Sequence, residues 1–88
     1  PVVKTSHPEV KATAFVKPDG AFIAVGNFSW KKQNVALDID WKALGLDPAK
    51  VEIYIPEIEE FQSAQKLTSA SRIPIDVKRG VVVIVKKR

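Results

Sequence analysis

Carboxylates and one imidazole are the groups in this chain that can move protons, so their spacing is the first test for chemistry. Asp38 and Asp40 share one face of an alternating segment, and Glu57, Glu59 and Glu60 crowd a short stretch after Pro56. Glycoside hydrolysis needs two carboxyls flanking a cleft, roughly 5–10 Å apart. Acids side by side on one strand face or in one loop do not straddle a substrate, so these read as solvated side chains. A calcium site wants several oxygen ligands at defined spacing, and the Glu57 stretch has no such pattern. His7 is the single histidine. It precedes Pro8 near the start of the chain, a poor place for a triad, which needs a base oriented by a third group within hydrogen-bond reach. Without Cys, disulfides and thiolate metal sites are excluded. Gly20, Gly26, Gly45 and Gly80 are scattered and build no phosphate-cradling loop. No catalytic, cofactor or metal site is predicted.

The aromatic residues carry more. Trp30 follows Phe28 in a polar tip, Ser29 to Asn34. Sugar-binding sites stack exposed Trp or Tyr rings on pyranose faces, an apolar platform with polar edges. Trp30 suits that role, but the reading preferred here folds it back over the end of the domain. Trp41 extends the apolar face of Val35, Leu37 and Ile39 and is assigned to the core. Phe15 and Tyr54 each stand on the otherwise charged face of their segment. Together with Phe22 they predict an apolar patch that another domain covers.

These residues need strands to position them. Val10–Lys17 alternates apolar and polar residues, as a half-buried strand does. Lys17-Pro18-Asp19-Gly20 is a turn signal, with Pro at the first corner and Gly supplying a positive φ after it, so Val10–Lys17 and Ala21–Phe28 form a hairpin. Ala21–Phe28 is apolar on both faces and needs cover on both. Val35–Trp41 alternates cleanly, and the proximity of the two segments predicts a second hairpin around the Ser29–Asn34 tip. Asp40 caps one helical turn, Trp41–Leu44, which Gly45 ends. Val51–Ile55 is a strand stopped by Pro56, Ser63–Leu67 a weak one, and Ile73–Val77 an edge strand marked by Pro74. Val81–Val85 is a continuous apolar run and reads as a central strand. Ile58 and Phe61 are expected to pin the loop between Pro56 and Ser63 to the core. About seven short strands with turn signals every 8–12 residues or so predict an all-β fold, a small antiparallel β-sandwich of Greek-key type. Residues 1–9 read as an extended lead-in and residues 10–88 as one domain.

Bulk properties narrow the partners. At 88 residues there is room for one core, and 45% apolar content is not that of a disordered chain. The net charge is +4. A nucleic-acid interface interleaves basic residues with aromatics on one face. Here Lys31-Lys32 and Lys78-Arg79 fall in separate turns and Lys86, Lys87 and Arg88 in the final residues, so they read as solvated charge and no nucleic-acid partner is predicted. No apolar run approaches the roughly 20 residues of a transmembrane helix, so no membrane insertion is predicted. The start at Pro1, without a signal-peptide pattern, suggests a cleaved precursor or a fragment of a longer protein. In isolation the domain is expected to be a monomer.

Three stretches taken together resemble a known family: Ala21–Asn27 running into Phe28-Ser29-Trp30, Val35–Asp40 running into Trp41-Lys42-Ala43-Leu44-Gly45-Leu46, and Ile58-Glu59-Glu60-Phe61-Gln62. The chain from about Lys11 to Val85 resembles the C-terminal all-β domain of large secreted glycoside-hydrolase-like proteins, in which a catalytic barrel precedes a small sandwich. The resemblance implies an accessory domain without catalytic residues that packs on the catalytic domain of its own chain and stabilises it. The alternative it implies is a carbohydrate-binding module contacting polysaccharide through exposed aromatics such as Trp30. It also implies a parent that is secreted or periplasmic. Lys31-Lys32 departs from the neutral or acidic residues expected at that tip.

Overall fold

Each strand turns an apolar face inward, and in the computed structural model, which describes all 88 residues, these faces meet between two antiparallel sheets. The strands are β1 (Val3–Thr5), β2 (Val10–Lys17), β3 (Gly20–Asn27), β4 (Gln33–Ile39), β5 (Val51–Ile55), β6 (Gln65–Leu67), β7 (Arg72–Ile75) and β8 (Gly80–Lys87). One sheet has the order β1-β4-β7 and the other β2-β3-β8-β5-β6. Ala21, Ile23, Val25, Val51, Ile53, Ile55, Val83 and Val85 of the larger sheet face Val3, Val35, Ile73 and Ile75 of the smaller one, and all are buried. At about 25 cal/mol per Å² of apolar surface, this shared face is the main stabilising term.

Val81–Val85 lies at the centre of the larger sheet, as its continuous apolar character predicts, with β3 on one side and β5 on the other. Pro74 sits in β7, at the edge of the smaller sheet, where a residue without an N–H is tolerated. Helix α1 (Trp41–Leu44) begins where Asp40 accepts a bond from the Ala43 N–H at 3.0 Å. It ends at Gly45, whose φ of +68° lets its N–H and that of Leu46 return to Lys42 O and Trp41 O, 3.1 Å each. Asp47 then accepts from the Ala49 N–H at 2.9 Å and starts a 3₁₀ turn, Pro48–Lys50, that delivers the chain to β5.

The β2–β3 hairpin forms around Pro18-Asp19 as predicted, with Lys17 opposite Gly20. Gly20 serves a different end from the one expected. Its φ is not positive; what it supplies is space, because a Cβ there would collide with the Val85 carbonyl oxygen of β8.

Four expectations are corrected. The predicted second hairpin does not exist: β3 pairs with β2 and β8, whereas β4 pairs with β1 and β7 in the other sheet. Residues 28–32 cross between the sheets, because β3 already has a strand on each side and Asn27 and Ser29 turn inward, buried. The lead-in is not merely extended chain. Val3–Thr5 pairs with Ile39–Leu37 of β4 and places Val3 in the core, which makes eight strands rather than seven. Tyr54 and its neighbours in β5 pair with a shorter β6 than Ser63–Leu67, beginning only at Gln65. Finally, Ile58 and Phe61 do not pin their loop; both are exposed, and Phe61 is 51% accessible. The anchor is Gln62. Beyond Ile55 the β5 edge is lost at Pro56, and the Gln62 carboxamide takes its place against β8: Oε1 accepts from the Val82 N–H at 2.9 Å and Nε2 donates to Val82 O at 3.1 Å. Nε2 also reaches Pro56 O at 2.6 Å. A side-chain amide has the same donor–acceptor pair as a peptide, so it continues the ladder for one rung.

The steric role of Gly20 makes a measurable difference. Gly20→Ala is expected to cost about 3 kcal/mol in urea unfolding, the upper range for forced overpacking. Gly45→Ala, in open space but at positive φ, is expected to cost about 1 kcal/mol. A smaller loss at Gly20 than at Gly45 would contradict this assignment.

Candidate functional site

Strand register places side chains of the larger sheet in rungs, and the rung facing away from the core is apolar across four strands. Phe15 stands opposite Phe22, Phe22 opposite Ile84, and Ile84 opposite Tyr54. The Phe15 and Phe22 rings meet edge to face, 5.9 Å between centroids and 66° between planes, a favoured aromatic geometry. Phe15 is 57% exposed, while Phe22, Ile84 and Tyr54 are half-buried. The adjacent rung is Thr13, Ala24 and Val82. Charge bounds this band on one side, in the rung Lys17, Gly20, Lys86 and Glu52. At the edge of the sheet, Val16 on the opposite face of β2 is also 53% exposed. Phe15, Phe22 and Tyr54, the three residues singled out from the sequence, are thus in one row. Ile84 and Val82 were missed, because a continuous apolar run hides which of its residues face outward.

The second surface lies at one end of the sandwich, where the β3–β4 crossing meets the β7–β8 turn. Asn27 is 2% exposed and organises it. Its Nδ2 donates to Lys31 O and to Ile75 O, 2.9 Å each, and its Oδ1 accepts from the Ser29 N–H at 2.9 Å. The Ser29 hydroxyl donates to Lys31 O at 2.8 Å and accepts from Gln33 Nε2 at 3.2 Å. No buried side-chain nitrogen or oxygen in the chain lacks a partner. With Asn27 and Ser29 turned in, Phe28 and Trp30 are turned out. Phe28 lies over Gly26, where a Cβ would come within 3.2 Å of its ring. Trp30 does not fold back over the sandwich as expected. It is 81% exposed, and the Lys78 ammonium stands 4.1 Å from its ring centroid. The same ammonium donates to Phe28 O. The sequence held no signal for this pairing, since the two residues belong to turns far apart in the chain.

The titratable candidates are dispersed. Asp38 and Asp40 are exposed beside the start of α1, and Glu57, Glu59 and Glu60 are exposed on the loop before Gln62. Glu60 holds a φ of +61° in the turn where the Phe61 and Gln62 N–H groups both bond to Ile58 O. His7 is half-buried, and its Nδ1 accepts from the Glu9 N–H at 3.0 Å, a turn-forming role. No three His, Asp or Glu side chains gather closely enough to hold a metal ion. An open groove of about 720 Å³ runs beside β5 and β6, lined by Tyr54, Glu57, Lys66 and Arg88 among others. No helix is long and apolar enough to cross a membrane.

Among known families, the model for the C-terminal domain of glycoside hydrolase 123 matches residues 1–86. No curated protein and no solved structure matches the chain.

The polar knot under the crossing is open to a direct check. Asn27→Asp keeps the shape and the acceptor for Ser29 but aims an oxygen at Lys31 O and Ile75 O, and is expected to cost about 3 kcal/mol or more. Amide exchange in residues 28–32 should accelerate with it. A variant as stable as the parent would show that the knot contributes nothing.

Proposed function

Because the chain belongs to the family of glycoside hydrolase 123 C-terminal domains, we propose that it is a non-catalytic accessory domain that packs on the catalytic domain of its own parent chain and stabilises it. The observation that carries this reading is the outward row Phe15, Phe22, Ile84 and Tyr54. An antiparallel sheet with one solvated face normally carries polar residues there. A contiguous aromatic and aliphatic band, bounded on one side by Lys17, Lys86 and Glu52, instead has the composition of an interface centre beside a charged rim. Interfaces between domains of one chain typically cover roughly 600–1,500 Å², and one face of a five-stranded sheet is enough for that. The edge strand β2 adds Val16 beside Phe15, so the contact is expected to wrap the β2 edge.

The test uses the parent chain. Phe15→Lys combined with Tyr54→Lys is expected to lower the melting temperature of the catalytic domain by about 3–5 °C, the effect of losing about 1–2 kcal/mol of docking energy. The 88-residue domain alone, melted in parallel, reports any loss of its own stability. An unchanged catalytic-domain melting temperature, with the variant domain folded, would sink the docking reading.

A further inference from the structure

The Trp30 end of the sandwich is not used by that docking face, and it is built at a cost. Two large aromatic rings are held in water, Trp30 at 81% and Phe28 at 60% exposure, on a crossing whose backbone is fixed from beneath by Asn27 and Ser29. Lys78 takes a φ of +57°, a conformation uncommon for a residue with a side chain, and from there reaches both Phe28 O and the Trp30 ring. Backbone outliers of this kind collect at functional sites. Exposed rings, a buried polar scaffold and a strained cation converge on one point.

We propose that this tip is a binding site for an anionic saccharide. One face of the Trp30 indole is taken by the Lys78 ammonium, and the exposure of the residue leaves the other face open. The C–H face of a pyranose is apolar and slightly positive, and it stacks on the negative face of an indole. Charge selects the kind of sugar. Lys31, Lys32, Lys78 and Arg79 are all exposed at this end, and the Asn27 N–H bonds to Arg79 O at 2.8 Å, which draws the two basic turns together. The acids of the turns around Trp30 are Glu9 and Asp76, so cations outnumber them there four to two; Glu57, Glu59 and Glu60 lie on the loop that Gln62 ties to Val82, on the β5 side of β8 and away from β3. A carboxylate or sulfate on the stacked sugar would lie among ammonium and guanidinium groups, which bind such anions with charge-assisted hydrogen bonds. A lipid surface fits less well. Lys78 is tied to a backbone carbonyl and to the ring at once, so burying Trp30 in acyl chains would drag a charge with it. The choice of a saccharide as ligand class rests on the glycoside hydrolase membership, whereas the site itself rests on this geometry alone.

The experiment titrates the 88-residue chain with polygalacturonate and chondroitin sulfate, with dextran as a neutral polymer, following tryptophan fluorescence and calorimetry. The anionic polymers are expected to perturb Trp30 emission and bind, dextran to bind far more weakly, and added salt to weaken binding. Trp30→Ala, which removes a side chain from water and not from the core, is expected to lower affinity about tenfold, the scale of one lost stacking contact. Trp30→Phe should restore part of it, and Lys78→Met should lower affinity for the anionic polymers. Unchanged affinity in Trp30→Ala would overturn the site, since general attraction to a basic protein would then account for the binding. Equal affinity for dextran would overturn the charge selection. Binding to phosphatidylserine vesicles or to oligonucleotides but not to the polysaccharides would overturn the ligand class. None of these results bears on the Phe15 face, whose test reads the stability of the catalytic domain.

Discussion

The placement of the two sheets depends on one buried amide. Asn27 ends β3 in the larger sheet, and its side chain bonds to Ile75 O, where β7 of the smaller sheet ends, and to Lys31 O in the crossing between them. Its backbone N–H reaches Arg79 O in the turn that leads to β8. Hydrophobic burial presses two sheets together but is not directional. A carboxamide with its donors and acceptor all used specifies where the end of one sheet meets the other. Unmade, the same bonds would leave buried carbonyls without partners, a larger penalty than the net gain of making them. The amide therefore acts as a register pin at the end of the sandwich where the chain crosses from β3 to β4 and from β7 to β8.

That constraint also accounts for the surface. A crossing with alternate residues pulled inward must present the intervening ones outward, and here those are Phe28 and Trp30. The opposite end is organised by backbone closure instead. The Lys87 N–H meets Asp19 O and the Arg88 N–H meets Lys50 O, so the β2–β3 turn, the start of β5 and the end of β8 lie together. Pro1 lines a groove with Trp41 at this same end. The domain thus has three distinct regions: an end where both chain termini lie, an apolar sheet face, and a far end carrying the aromatic tip. A partner on the sheet face and a ligand at the tip do not compete for the same residues.

Much of this was legible from local pattern. The Pro18-Asp19 hairpin, the Asp40 cap, the Gly45 stop, the edge position of Pro74 and the central position of Val81–Val85 each depend on residues close in sequence or on a run of one character. The apolar row was legible in part, because Phe15 and Tyr54 stand out against charged neighbours, while Ile84 does not stand out against Val83 and Val85. The Ser29–Asn34 segment was misread as a hairpin tip because polar residues between two apolar strands look alike whether the chain turns back or crosses over. Gln62 was passed over in favour of Ile58 and Phe61 because composition ranks hydrophobes as anchors, although a backbone edge left open by Pro56 needed a hydrogen-bonding group.

The sequence by itself determined the all-β class and most strand positions, since alternation and turn residues are properties of the chain read in one direction, and its motifs carried the resemblance to a glycoside-hydrolase C-terminal domain. Which strand lies beside which, which face of an all-apolar strand meets water, and the approach of Lys78 to Trp30 were decided only by the tertiary structure. These depend on pairings between distant segments, and the physical reason they escape local reading is that burial and polar satisfaction are conditions on the whole fold. A strand finds its neighbours where every buried amide and carbonyl has a partner, and no single segment carries that information.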